Sequence, residues 1–251
     1  MRTVRTAIVI PSRRAATRLP NKPLVDLGGL PLIARVERQA RKCGSADIVV
    51  VATDDEEIAA AVAQHGGRAI MTRLDHVSGT DRVAEAAAGL DAELIVNVQG
   101  DEPFLDPRDV DTVIEALKGD DTDMATLSVP IADADELRDP NVVKLVIRDD
   151  GRALYFSRAP IPFSRDGKFN RAVAFRHLGV YGYRKEALEH MTHAPAHPLE
   201  MCEGLEQLRA LALGMTIAVR PGRTTGRGID TQEDLDWARA RVSELGESAF
   251  P

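Results

Sequence analysis

Short, unbroken apolar runs alternate with amphipathic stretches over the first hundred residues. Residues 6–10 (TAIVI), 48–53 (IVVVAT), 68–72 (RAIMT) and 94–98 (LIVNV) read as strands buried on both faces. Between them, residues 31–43 (PLIARVERQARKC) have apolar positions at helical spacing, with Pro31 at the start and Gly44 just past the end. Asp54 and Asp55 open a second helix that stops near Gly66 and Gly67, and residues 80–89 form a third, rich in alanine. Both-face apolar strands alternating with helices predict an α/β fold with a mainly parallel sheet covered on both sides. Ligands of such sheets bind beyond the carboxyl ends of the strands. Those ends are the loop 12–22, the segment around Asp54, and Asp101.

The pattern changes near Asp123. Residues 124–131, 142–147, 153–157 and 177–184 read as strands separated by turns such as Asp149-Asp150-Gly151, which is an antiparallel excursion. Helical character returns over 199–214, a strand follows over 216–220, and 231–245 (TQEDLDWARARVSEL) is a closing helix. Neither an internal repeat nor a low-complexity linker interrupts the chain. It reads as one domain over 1–251, with a core over about 1–120 and 200–251 and a subdomain over about 121–199.

Composition narrows the function classes. Apolar residues make up 44% and charged residues 28% of 251, which excludes a disordered or fibrous chain. No apolar run approaches membrane-spanning length, and the run behind Arg2 and Arg5 is too short for a signal peptide, so a cytoplasmic protein without a membrane partner is expected. Cys43 and Cys202 read as reduced thiols. A net charge of −7 disfavours nucleic acid. Yet residues 1–22 carry Arg2, Arg5, Arg13, Arg14, Arg18 and Lys22 and no acid, which suits a small polyanion.

The loop 11–23 (PSRRAATRLPNKP) leaves the first strand with converging cations, and arginine forks with a lysine point charge suit phosphate oxygens. It is neither a GxxxxGK[ST] nor a GxGxxG loop. A solvated surface loop is the plain alternative. Asp101, in VNVQGDEP, follows a buried strand where a carboxylate could hold a divalent ion or simply shape a turn. Asp230, in Gly226-Arg227-Gly228-Ile229-Asp230-Thr231, could do the same or cap the closing helix. Two such carboxylates brought together would suit Mg²⁺, which takes one or two carboxylates plus phosphates and water. His190, His193 and His197 resemble a metal set, but Pro195 and Pro198 break any shared helix face.

The opening motif PSRRAATRLPNKPL resembles PARxxSxRLPGKPL of the 3-deoxy-manno-octulosonate (Kdo) cytidylyltransferases, also called CMP-Kdo synthetases. The likeness continues through ATDD (52–55), TRLDHVSGTDR (72–82), NVQGDEP (97–103), DPNVVK (139–144) and ALYFSRAPIP (153–162), then RHLGVYGYR (176–184), LEQLRAL (205–211) and GIDTQEDL (228–235). It covers nearly the whole chain. It implies a mainly parallel, Rossmann-like nucleotidyltransferase sheet flanked by helices, with the antiparallel excursion used for homodimerisation. It also implies Mg²⁺-dependent transfer of CMP from CTP to an acidic acceptor, most simply Kdo, releasing pyrophosphate. By motif, Arg13, Lys22, Asp101 and Asp230 are catalytic, Asp101 and Asp230 holding metal. Ser12, Arg13, Arg18, Lys22, Arg73, Ser78, Gly79 and Arg82 surround the nucleotide. Gln99, Arg158, His177, Tyr181, Glu206 and Gln207 contact the acceptor.

Four positions depart from the family pattern. Arg14 replaces an aromatic, Ala16 a serine, Asn21 a glycine and Phe163 a tryptophan, and the stretch 158–177 is shorter. An extra cation at Arg14 would suit a more charged acceptor, so a small phosphonate such as phosphonoformate is the alternative substrate. An alternative of another class is a non-catalytic nucleotide-binding protein on the same fold.

Overall fold

The computed structural model describes residues 5–14, 18–119, 121–223 and 227–251. Ala16 and Gly226, both singled out above, lie outside the described residues. The chain divides into two compact units, residues 1–111 with 224–251 and residues 112–223. The sequence division falls instead at 120 and 200; residues 112–120 and 200–223 group with the second unit.

In the first unit the order is β1 (Thr6–Ser12), α1 (Leu32–Ala40), β2 (Ile48–Thr53), α2 (Glu56–Gln64), β3 (Ala69–Met71), α3 (Gly79–Ala88) and β4 (Leu94–Asn97). The strands lie in the order β3-β2-β1-β4, all parallel. β1 is central and its residues Ala7 to Ile10 are fully buried, which is why its run shows no alternation. Its ladder to β4 ends at Val9↔Asn97, whereas its ladder to β2 continues to Ser12↔Thr53. Pro11 therefore sits where one side of the strand no longer needs a partner. Asp55 caps α2, accepting from the Glu57 and Ile58 amides at 2.9 and 3.0 Å.

Helix α4 (Pro107–Leu117) leads into the second unit, which holds β5 (Met124–Pro130), α5 (Ala134–Arg138), β6 (Lys144–Ile147), β7 (Ala153–Ser157) and β8 (Phe175–Arg184). It continues with α6 (Lys185–His193), α7 (Pro198–Glu203), α8 (Gln207–Ala212) and β9 (Ile217–Pro221). The antiparallel excursion is present: β5 pairs antiparallel with β8, and β6 with both β7 and β8. β9 pairs parallel with β5. The helix expected over 199–214 is two helices, because Gly204 takes a left-handed φ of 64° and ends α7. α4, α5 and α6 were not anticipated. The chain closes in the first unit with α9 (Gln232–Leu245), capped by Thr231 and Asp234 in a reciprocal capping box.

Both cysteines are free; burial and the Asp111 carboxylate push the Cys43 thiol up to about 12. No described helix is long and apolar enough to cross a membrane.

Candidate active site

The first unit gathers its charged groups at the carboxyl ends of β1 and β4. Lys22 lies in a single 3-10 turn behind the basic loop. Its Nζ donates to Asp101 Oδ2 at 2.7 Å and to Asp230 Oδ1 at 2.8 Å. Burial lowers the ammonium's pKa, but the two carboxylates outweigh it and the net shift is upward, so Lys22 stays charged. Arg18 reaches the other oxygen of Asp230 at 3.2 Å. Carboxylates 79 and 208 places from Lys22 thus meet at one cation because the turn after β4 is tight. A Cβ on Gly100 would stand 2.8 Å from the Pro11 carbonyl, which only glycine avoids. The backbone amide of Ile229 donates to the Asp101 carbonyl at 2.9 Å, tying the two carboxylate segments together.

Asp101 and Asp230 converge on one cation, and among the described residues no third carboxylate, histidine or cysteine completes a protein cage. That donor set fits Mg²⁺, whose remaining ligands come from phosphates and water. The histidine set is not a site: His193 ends α6 and His197 caps α7.

The other expected nucleotide residues fall into two groups. Ser12 is buried at the end of β1, and Arg13 is exposed with no hydrogen bond or ion pair among the described residues. Gly79 opens α3 and Ser78 caps it, accepting from the Asp81 amide at 3.1 Å. Arg82 is 3% exposed and paired with Asp54 at 2.6 Å. Its guanidinium holds two strand-end segments together. Arg73 is exposed beside Asp75.

Two of the departures form one device. Asn21 adopts φ 53°, the only left-handed non-glycine among the described residues, a conformation that glycine takes freely and asparagine tolerates. Its Oδ1 accepts from Arg14 Nε at 3.0 Å, and Arg14 Nη1 pairs with Glu57 Oε1 at 2.6 Å. The Glu57 hydrogen bond and charge hold the Arg14 pKa above its usual value. Arg14 is therefore already engaged by acids, which removes the observation that favoured a more charged acceptor.

The second unit builds a different kind of site. His177 and Tyr181 lie on β8, four residues apart, where a regular strand would separate them by about 13 Å. Their ring centroids are 5.0 Å apart. The pairing of β5 with β8 jumps from Thr126↔Tyr181 to Leu127↔Leu178, so Gly179 and Val180 bulge and fold the strand between the two rings. Phe156 packs edge-on against His177. Burial pushes His177 down to about 3, and burial, with Tyr183 and Glu206, pushes the Tyr181 phenol well above its usual value. Both side chains are neutral at pH 7. Glu206 and Gln207 sit at the start of α8.

Arg158 follows β7. Its Nε donates to the Glu203 carbonyl at 2.8 Å and Nη1 to the Pro140 carbonyl at 3.0 Å. Glu203 grips the same segment, accepting from Ser157 Oγ at 2.6 Å and the Arg158 amide at 2.9 Å. Lys144, fully buried, donates to the carbonyls of Asp139, Val142 and Arg158. Thr126, Lys144 and Glu203 were missed by the sequence reading. Only Lys144 gave a signal, as a cation inside an apolar strand run. The sixth expected acceptor residue, Gln99, belongs to the first unit and follows β4.

A family model described as Cytidylyltransferase matches residues 7–217. The 3-deoxy-manno-octulosonate cytidylyltransferase of Syntrophobacter fumaroxidans is 47% identical over 232 residues, covering 91% of this chain and 93% of that protein. This chain belongs to the Kdo cytidylyltransferase family. It is a nucleotidyltransferase. The family member of Leptothrix cholodnii is 48% identical, covering 92% of this chain and 89% of that protein. A solved CMP:2-keto-3-deoxy-manno-octonic acid synthetase complexed with CTP is 41% identical, with a TM-score of 0.91 over 96% of this chain and 99% of that one. The 4-diphosphocytidyl-2C-methyl-D-erythritol synthase of Anaerococcus prevotii, 15% identical at a TM-score of 0.66 over 96% of this chain and 99% of that one, shares the fold.

Proposed function

We propose that this protein transfers CMP from CTP to 3-deoxy-manno-octulosonate, giving CMP-Kdo and pyrophosphate. The observation that carries the reading is Lys22 held between Asp101 and Asp230 at the strand ends, in a chain whose close relatives bear that name. Arg13 and Lys22 bind the triphosphate, with Arg18, Ser12, Arg73, Ser78 and Gly79 around the nucleotide and Arg82 bracing that wall. Asp101 and Asp230 would hold Mg²⁺, which supplies charge neutralisation at the phosphate oxygens. Lys22, freed from its carboxylates, would add its charge to the departing pyrophosphate.

Gln99, Arg158, His177, Tyr181, Glu206 and Gln207 orient the acceptor so that one hydroxyl attacks the α-phosphorus in line. The attacking oxygen forms the new P–O bond, the bond to pyrophosphate breaks, and the hydroxyl proton leaves to solvent. A homodimer through the excursion is part of this proposal. Support comes from Phe163, 88% exposed, which lines a groove of about 410 Å³ with Leu137 and Val173. The reading also makes this a cytoplasmic enzyme.

Pyrophosphate release from CTP, with and without Mg²⁺, against Kdo, sialic acid and phosphonoformate tests it. Release with Kdo and Mg²⁺ is the expected outcome. Release with phosphonoformate alone, or CTP binding without release, would overturn it.

A further inference from the structure

The β8 bulge fixes more than the distance between two rings. Thr126, fully buried on β5, places its Oγ1 at 2.8 Å from the Val180 carbonyl, 3.2 Å from the Leu178 carbonyl and 2.9 Å from His177 Nε2. The bulge takes these carbonyls out of the regular ladder and turns them onto the threonine hydroxyl. A hydroxyl has one proton to give and two lone pairs. Both carbonyls can only accept. Were the proton given to Nε2, two carbonyl oxygens would face hydroxyl lone pairs at hydrogen-bond distance in a buried site, a costly arrangement. The proton therefore goes to a carbonyl, and the contact at Nε2 requires an N–H on the ring.

We infer that Thr126 is a positioning residue that locks His177 as the Nε2–H tautomer, so that Nδ1 presents a lone pair and reads a hydroxyl of the acceptor. The second half rests on the proposed function; the tautomer does not. Burial keeps the ring from taking a second proton near neutral pH. Among the described residues no hydrogen bond engages Nδ1, and the residue is half-buried. The His177 amide is pinned separately, donating to the Val143 carbonyl at 2.9 Å, so the side chain alone carries the choice. A carboxylate or phosphonate oxygen set against Nδ1 would meet lone pair with lone pair. A polyhydroxy acid offers the O–H that fits, and an acid without hydroxyls does not.

The test is a two-bond proton–nitrogen NMR correlation on the imidazoles of the whole protein, with His177→Gln identifying the ring among six histidines. The wild type should show the proton on Nε2 at neutral pH, and Kdo should shift Nδ1. Thr126→Val should mix the tautomers and raise the KM for Kdo about tenfold with the KM for CTP unchanged, the scale of one lost hydrogen bond. Thr126→Ser should restore both readouts. A wild-type proton on Nδ1, or an unchanged KM for Kdo in a folded Thr126→Val, would overturn the inference. Should Thr126→Val fail to fold, the wild-type spectrum and Thr126→Ser decide it. A wild type inactive on every acceptor would overturn the proposed function, while the spectrum would still judge the lock.

Discussion

The two units use opposite electrostatics. In the first, Lys22, Asp101 and Asp230 are charged groups balanced against one another at strand ends, ready to be re-paired by a polyanion and its cation. In the second, His177 and Tyr181 are neutral, their charged forms suppressed by burial, and Lys144 and Glu203 hydrogen-bond to the backbone of the Arg158 segment. The difference follows from the ligands proposed for each. A triphosphate must be neutralised, so its site stores charge. A sugar acid must be told from other acids, so its site sets the fixed, uncharged His177 and Tyr181 beside Arg158 and Glu206.

Removing the stored charge should have the largest effect. Asp101→Asn or Lys22→Met should lower kcat for pyrophosphate release by about a hundredfold or more, the scale seen when a preorganised charge stabiliser is lost. The fold should survive, as circular dichroism would show. Not every charge in that unit acts this way. Arg82→Met leaves Asp54 buried without its partner and should cost about 3 kcal/mol in denaturant unfolding.

In the second unit, charge should matter through posture. Glu203→Gln should loosen the Ser157–Arg158 segment and raise the KM for Kdo by about tenfold, leaving the KM for CTP alone. A matched rise in both constants would break the contrast between the units. His177 gives a pH signature. Its folded pKa, about 3, lies below the unfolded value near 6.5, so the unfolded chain binds the proton first as pH falls. Protonation of His177 costs no stability above about pH 6.5 and an increasing amount toward pH 3, and His177→Gln should flatten that part of a Tm-against-pH curve. The smallest effect belongs to Arg14→Tyr. Because Arg14 is engaged with Asn21 and Glu57, acceptor preference should stay within about twofold in kcat/KM.

What could be read from the sequence follows the same division. Strand ends announce charged sites: the runs at 6–10 and 94–98 stop where Arg13 and Asp101 begin, and strand topology does the rest. Asp230 was legible as a carboxylate ahead of the closing helix, with a helix cap as the alternative; Thr231 is the cap, and Asp230 meets Lys22. The second site depends on a register jump between Thr126 and Leu127 that no periodicity reveals, since the strand text RHLGVYGYR looks regular. Lys144 and Glu203 act on backbone carbonyls and amides, partners that leave no mark in sequence. Helix α4 was legible, since Val110, Val113, Ile114 and Leu117 recur at helical spacing and are buried; α5, five residues with none buried, leaves no such pattern. Asn21 was legible as a departure, and only its φ shows a backbone that glycine would also accept.

The most direct measurement is phosphorus NMR of the wild-type protein with CTP, Mg²⁺ and Kdo. The account predicts loss of the triphosphate signals, with one phosphodiester resonance of CMP-Kdo and one of pyrophosphate growing together. CTP left intact beside Kdo, or a new phosphorus product only with an acid that lacks hydroxyls, would contradict it.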